Sequence, residues 1–207
     1  INDDALWQAQ LKQDDGSHFS VLFDKQECGT LDWNLTGLHN VQNAIAAIAA
    51  ARHIGILPQH AIQSLHSFKN VKRRMEVIAK INGVTVYDDF AHHPTAIQMT
   101  LDGLRKHVGS EKIIAVMEPR SNTMRMGIHR EALANSLALA DRTLVYQPEN
   151  LNWDLSELSD YADNIQICTS IDEIIQQLQK EVAPNSHFLM MSNGSFGGIY
   201  KRLKDEL

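Results

Sequence analysis

From Arg74 to the C-terminus, short apolar runs alternate with amphipathic segments of helical period, and that alternation leaves few folds open. Residues 75–80 and 84–87 read as strands joined by Asn82-Gly83, a dipeptide suited to the two positive-φ positions of a tight hairpin. Pro94 opens a helix carrying Ile97, Leu101 and Leu104 on one face, and Gly109 stops it. Residues 112–117, 143–146, 165–168 and 187–191 read as further strands. Between them lie a helix over 129–140 and another bearing Ile174, Ile175 and Leu178, which Ser170-Ile171-Asp172-Glu173 starts as a capping box. A last helix carries Ile199 and Leu203, and residues 152–162 are ambiguous. The alternation implies an α/β fold, a mostly parallel sheet with helices on both faces.

The pattern before residues 68–72 is different. Residues 6–12, 18–23 and 28–34 alternate as strands of an antiparallel β-meander, with Asp14-Asp15-Gly16 as a turn. Gly37-Leu38-His39-Asn40-Val41-Gln42-Asn43 leads into an alanine-rich helix on which Val41, Ile45 and Ile48 fall at i, i+4 and i+7. Gly55 suits its C-cap, and Pro58 suits the first turn of a second helix over 58–67. Three short strands cannot stand alone and need a cover for their apolar face. At 207 residues the chain is one large domain or two small ones.

Charge and composition narrow the function classes. A net charge of −6 is the wrong sign for a general nucleic-acid binder. The longest apolar run, residues 44–51, is far short of the roughly 20 residues that span a bilayer, so no membrane partner is expected. Two cysteines, Cys28 and Cys168, build no disulfide framework and fit a reducing cytoplasm. No signal peptide is visible, and a start at Ile1 suggests a fragment of a longer protein.

Ligands of open α/β sheets bind beyond the carboxyl ends of the strands, and three candidate loops follow strands. The first is Asp88-Asp89-Phe90-Ala91-His92-His93-Pro94-Thr95. A carboxylate there can accept both hydroxyls of a ribose, or simply cap the next helix. Two acids and two histidines also sketch a metal site, weakened because adjacent histidines point in different directions. The second loop is Glu118-Pro119-Arg120-Ser121-Asn122-Thr123-Met124-Arg125-Met126-Gly127, whose arginines could clamp a carboxylate or face solvent. The third, Ser192-Asn193-Gly194-Ser195-Phe196-Gly197-Gly198, offers backbone N–H groups to an anion, or is a tight turn needing positive φ. It lacks the Gly-Lys-[Ser/Thr] of a Walker A loop. Elsewhere, the asparagines of His39-Asn40-x-x-Asn43 can match an adenine edge or cap a helix. Arg73-Arg74-Met75-Glu76 could place an arginine on phosphates or pair it with Glu76.

Together, Gly-x-His-Asn-x-x-Asn, Arg-Arg-x-Glu and Asp-Asp-x-Ala-His-His-Pro-Thr, in that order over residues 37–95, resemble the Mur ligase family. Glu118-Pro119-Arg120-Ser121-Asn122-Thr123-Met124 and Ser192-Asn193-Gly194-x-Phe196-Gly197-Gly198 look most like one branch. That branch joins a recycled tripeptide, L-Ala-γ-D-Glu-meso-diaminopimelate, to UDP-N-acetylmuramate with ATP. The resemblance implies a central-domain remnant over 1–69 and a Rossmann-like acceptor-substrate domain over 70–207. It places adenine against His39, Asn40 and Asn43, the ribose and phosphates near Arg74 and Asp89, and the tripeptide against Arg120, Asn122, Arg125, Ser192, Asn193 and Phe196. The implied reaction runs through an acyl phosphate in a bacterial cytoplasm. The P-loop and Mg²⁺ ligands lie outside this chain, which alone is expected to be inactive. Other readings are the single-amino-acid ligase for alanine, a metal-dependent hydrolase built on Asp88, Asp89, His92 and His93, and a non-catalytic nucleotide- or peptide-binding module.

Overall fold

The computed structural model describes residues 4–147 and 151–207. The chain packs as two compact units. One comprises the described part of residues 1–71 with Asp102–Gly109, the other Lys72–Leu101 and Ser110–Leu207.

In the first unit, β1 (Trp7–Leu11), β2 (His18–Phe23) and β3 (Gln26–Asp32) form an antiparallel meander in that order. β3 starts earlier than its apolar residues suggest, because Asp24 and Lys25 take left-handed φ of 49° and 61° and close a two-residue turn that pairs Phe23 with Gln26. The helices α1 (Leu38–His53) and α2 (Pro58–Leu65) supply the cover the meander needs. Phe19, Val21 and Leu31 of the sheet form one core with Val41, Ile48 and Ile62 of the helices. Trp33 closes it, its ring edge-on to Phe19 and its Nε1–H donated to the Gly16 carbonyl at 3.2 Å.

The second unit is a six-stranded sheet built from β4 (Glu76–Ile81), β5 (Val84–Asp89), β6 (Lys112–Met117), β7 (Arg142–Tyr146), β8 (Ile165–Cys168) and β9 (Ser186–Met191). Its spatial order is β4-β5-β9-β6-β7-β8. Only β4 is antiparallel, joined to β5 by a hairpin in which Asn82 and Gly83 have φ of 50° and 83°. β5, β6 and β9 are buried nearly throughout, as strands of a sheet covered on both faces must be.

The helices of this unit are α3 (Pro94–Val108) as far as Leu101, α4 (Asn122–Arg125), α5 (Arg130–Ser136), α6 (Ile171–Lys180) and α7 (Ile199–Glu206). Ser170 caps α6 by accepting the Glu173 N–H at 3.1 Å, and the Glu173 carboxylate accepts the N–H of Thr169 at 2.9 Å. α5 is shorter than its apolar spacing suggests. The Asn164 amide donates to the carbonyls of Leu137 and Ala140, and the turns beyond Ser136 close by i→i+3 bonds instead. The ambiguous stretch resolves as a 3₁₀ turn, Leu155–Asp160, which Asp154 caps through the Ser156 N–H.

Glu181 clips the amino-terminal edge of this sheet, accepting from Lys112 Nζ and Arg142 Nη1 at 2.5 Å each. Partial burial works against its charge, but the two cations outweigh this and hold its carboxyl below the usual range. A depressed carboxylate contributes stability above its unfolded pKa and loses it as pH falls through the folded one. Glu181→Gln should therefore unfold at lower denaturant than the parent at neutral pH and show a flatter acid limb. Parallel stability–pH curves for the two would refute this.

Candidate functional site

β5, β9 and β6 are adjacent, so the loops that leave their carboxyl ends start side by side. The ladder runs one step past the strands: the Ser192 N–H donates to the Asp89 carbonyl at 3.2 Å, and the Glu118 N–H to the Met191 carbonyl at 3.1 Å. Ser192 Oγ–H donates to the buried Glu118 carboxylate at 2.6 Å, and the Gly194 N–H donates back to Ser192 Oγ at 2.9 Å. These bonds join the second and third loops through their first residues.

Arg120 lies across the third loop. A Cβ built on Gly194 would overlap the Arg120 Nη1 nitrogen and stand 2.7 Å from Cζ, so the guanidinium rests on the glycine backbone. Arg120 is exposed, as is Asn122 at the first position of α4. Arg125, half-buried, closes the same helix. Asn193 is half-buried beside Gly194, and its Oδ1 is buried without a hydrogen-bond partner among the described residues.

Three residues of the expected set are turned inward. Ser192 is fully buried, and its hydroxyl is spent on Glu118 and Gly194. Phe196 is also fully buried. Its ring belongs to the core with Ile174, Ile199 and Leu203, so the side chain anchors the loop there. The anchoring holds a left-handed run, with φ of 45° at Phe196, 56° at Gly197 and 76° at Gly198. Asp89 is 2% exposed. It accepts the Ala91 N–H at 2.8 Å, the Met75 N–H at 2.9 Å and, more weakly, the Thr100 hydroxyl at 3.4 Å. Burial dominates its electrostatics and raises its carboxyl above the ordinary range despite these donors.

Around Asp89 the segment that enters the sheet is tightly held. Arg73 and Met75 both have left-handed φ, 60° and 49°. The Arg73 N–H donates to the Glu76 carboxylate at 2.9 Å, and its carbonyl accepts the Phe90 N–H at 2.8 Å. The Arg73 guanidinium donates to Asp88 at 3.2 Å and to the Ser192 carbonyl at 2.5 Å. Tyr200 of α7 donates its hydroxyl to the same Asp88 at 2.7 Å. Burial opposes the Arg73 charge, but Asp88 more than compensates and keeps the guanidinium above its usual pKa. Burial, then the bond to Asp88, raises the Tyr200 hydroxyl. Arg74, between the two left-handed residues, is exposed, with its guanidinium 5.7 Å from the Phe90 ring centre.

The four residues of the metal-site reading are engaged otherwise. Asp88 and Asp89 hold the groups just named, His92 Nδ1 lies 2.8 Å from the Phe90 carbonyl, and the His93 ring stands edge-on to His129. Among the described residues no three His, Cys, Asp or Glu side chains are grouped to hold a metal ion. In the first unit, the Asn40 amide donates to the Thr36 carbonyl at 2.8 Å, which makes it part of the helix start. His39 is half-buried on the first turn of α1, and Asn43 is exposed one turn further on.

Sequence reasoning missed Tyr200, Glu118 as the partner of Ser192, and Trp153, whose Nε1–H donates to the Met124 carbonyl at 2.8 Å. Tyr200 and Trp153 sit far along the chain from what they hold, and no local spacing signals them.

The family model for the Mur ligase, glutamate ligase domain matches residues 73–194. Over its whole length the chain is 45% identical to UDP-N-acetylmuramate–L-alanyl-γ-D-glutamyl-meso-2,6-diaminoheptandioate ligase of Escherichia coli K12, and it covers 46% of that protein. It is 31% identical, over 91% of its length, to UDP-N-acetylmuramate–L-alanine ligase of Desulfitobacterium hafniense, covering 43% of it. The crystal structure of a murein peptide ligase from Psychrobacter arcticus is 44% identical and superposes on the whole chain with a TM-score of 0.70, the chain covering 45% of it. The chain thus spans about half the length of the relatives it matches. The matched domain takes in most of the second unit, the first two loops at its carboxyl edge and the start of the third, and on that ground the chain belongs to the Mur ligase family.

Proposed function

We propose that this chain is part of an ATP-dependent amide ligase that joins L-Ala-γ-D-Glu-meso-diaminopimelate to UDP-N-acetylmuramate, and that its second unit presents the tripeptide. One observation carries the acceptor side: the exposed Arg120 guanidinium, which pairs with no carboxylate among the described residues, lies on Gly194, the residue after Asn193, whose Oδ1 has no hydrogen-bond partner among them. An unpaired cation and an unsatisfied acceptor on one loop suit a ligand that carries both carboxylates and N–H groups, as a peptide does. A buried acceptor without a partner costs about 1–3 kcal/mol, which a ligand N–H can recover. Identity of 45% to the tripeptide ligase, against 31% to the alanine ligase, favours the longer acceptor.

In this reading Arg120 and Arg125 take carboxylates of the tripeptide, while Asn122 and Asn193 supply amide contacts. Ser192 and Phe196 fix the loop that carries Asn193. His39, Asn40 and Asn43 take the adenine, and Arg74 the phosphates. ATP converts the muramyl carboxylate to an acyl phosphate. The peptide amine then attacks the carbonyl carbon, the C–O bond to phosphate breaks, and the amine loses a proton as the amide forms. The contribution of this chain to that step is placement of the amine. Mg²⁺ and the groups that transfer the phosphoryl are proposed to come from outside these residues, so the 207-residue chain alone should release no phosphate from ATP.

The full-length ligase, assayed with tripeptide and with L-alanine, tests the substrate. We expect ligation of the tripeptide at a kcat/KM at least tenfold above that for L-alanine. The reverse preference would replace this reading with the alanine ligase.

A further inference from the structure

α4 carries Asn122 and Arg125 but has only four residues. A helix this short does not sustain itself in water, since nucleation is unfavourable below roughly 12–15 residues, so tertiary contacts must hold it. Three contacts from one distant segment do so. The buried Trp153 indole donates its Nε1–H at 2.8 Å to the Met124 carbonyl, which also accepts the Gly127 N–H at 3.2 Å. The Asn152 N–H donates to the Arg125 carbonyl at 3.2 Å. Gly127, at a left-handed φ of 65°, lets the chain turn directly over the indole, where a Cβ would stand 2.7 Å from Trp153 Cγ. Arg130 fixes the indole as well. Arg130 stacks its guanidinium 5.2 Å from the ring centre and donates to Glu157 at 2.5 Å.

We infer that Trp153 is a positioning residue for the acceptor, setting the height and direction of α4 so that Arg125 and Asn122 meet the tripeptide. This rests on the acceptor reading of that loop. Trp153 touches no substrate. It acts through the Met124 carbonyl and the Gly127 backbone.

The test uses the full-length ligase. Trp153→Phe keeps an aromatic ring at the site but removes the N–H donor together with part of the indole. Gly127→Ala leaves the indole donor in place, strains a left-handed φ and brings a methyl against the indole and Arg130. Both variants should raise the KM for the tripeptide about fivefold, with kcat and the KM for ATP within twofold of the parent. A merely structural role would lower the denaturation midpoint and the yield of active enzyme, yet leave the tripeptide KM of the folded fraction unchanged, and that result overturns the inference. Arg120→Ala separates the two levels. If it raises the tripeptide KM while Trp153→Phe and Gly127→Ala do not, the positioning role alone falls. If Arg120→Ala leaves that KM unchanged, the acceptor reading and the positioning role fall together.

Discussion

On the acceptor role proposed for Arg120, Gly194→Ala should fold like the parent and lose tripeptide affinity by about 10–100-fold, as much as Arg120→Ala loses. Gly194 does not lie at a left-handed φ, so alanine fits its backbone. The new methyl would overlap Arg120 Nη1 and stand 2.7 Å from Cζ and 2.8 Å from Cδ. A flexible side chain, not backbone, is in the way, so the guanidinium swings off the loop and the fold is spared. Stability should change by no more than about 0.5 kcal/mol, as for an exposed substitution away from special features. What goes, on that role, is the proposed charge-assisted bond to an acceptor carboxylate, worth about 1.5–3 kcal/mol. At about 1.4 kcal/mol per decade this gives the stated loss. The two substitutions remove one interaction, so Arg120→Ala with Gly194→Ala should bind no worse than either alone. Steady-state KM values for the tripeptide in the full-length ligase check this. Additive losses, or an unaltered KM in Gly194→Ala, would show that Arg120 does not work from its seat on Gly194.

How much of this was legible depends on how far the cause lies from the effect along the chain. Asn82-Gly83 announced its hairpin because the two dihedrals it needs belong to those two residues. The capping box at Ser170 was readable for the same reason: donor and acceptor sit within one turn. The three loops could be assigned to one edge because each follows a parallel strand, and the order β5-β9-β6 makes them neighbours. Their inner chemistry was not readable. Whether Ser192 faces a ligand or Glu118 depends on a bond across 74 residues, and whether Asp88 is free depends on Tyr200, 112 residues away. Motif position marked Phe196 for the site, yet its environment is set by α6 and α7, which close over it. The short α4 left no periodic trace because four residues make only one turn.

Asp89→Asn should destabilise the second unit by about 1–3 kcal/mol. That size comes from leaving one buried N–H without an acceptor. Both carboxylate oxygens of Asp89 face backbone donors, Oδ1 the Ala91 N–H and Oδ2 the Met75 N–H. An amide can present its oxygen to one of these. Its NH₂ then meets the other donor to donor. The Met75 bond matters further because Met75 and Arg73 hold left-handed φ, a conformation that costs a residue with a Cβ roughly 1–2 kcal/mol. The Asp89 and Glu76 carboxylates compensate that strain and so keep Arg74 between them in place. Burial raises the Asp89 carboxyl in the folded state, so the unfolded chain releases this proton at lower pH. Stability from this group is fully present below the unfolded pKa and is lost as pH rises through the folded one. Asn does not titrate, so the parent's stability should fall across this pH range and the variant's should not. Urea unfolding of the two proteins across that range measures it. If Asp89 served only to hold a ribose, the unfolding curves would coincide and the KM for ATP alone would rise.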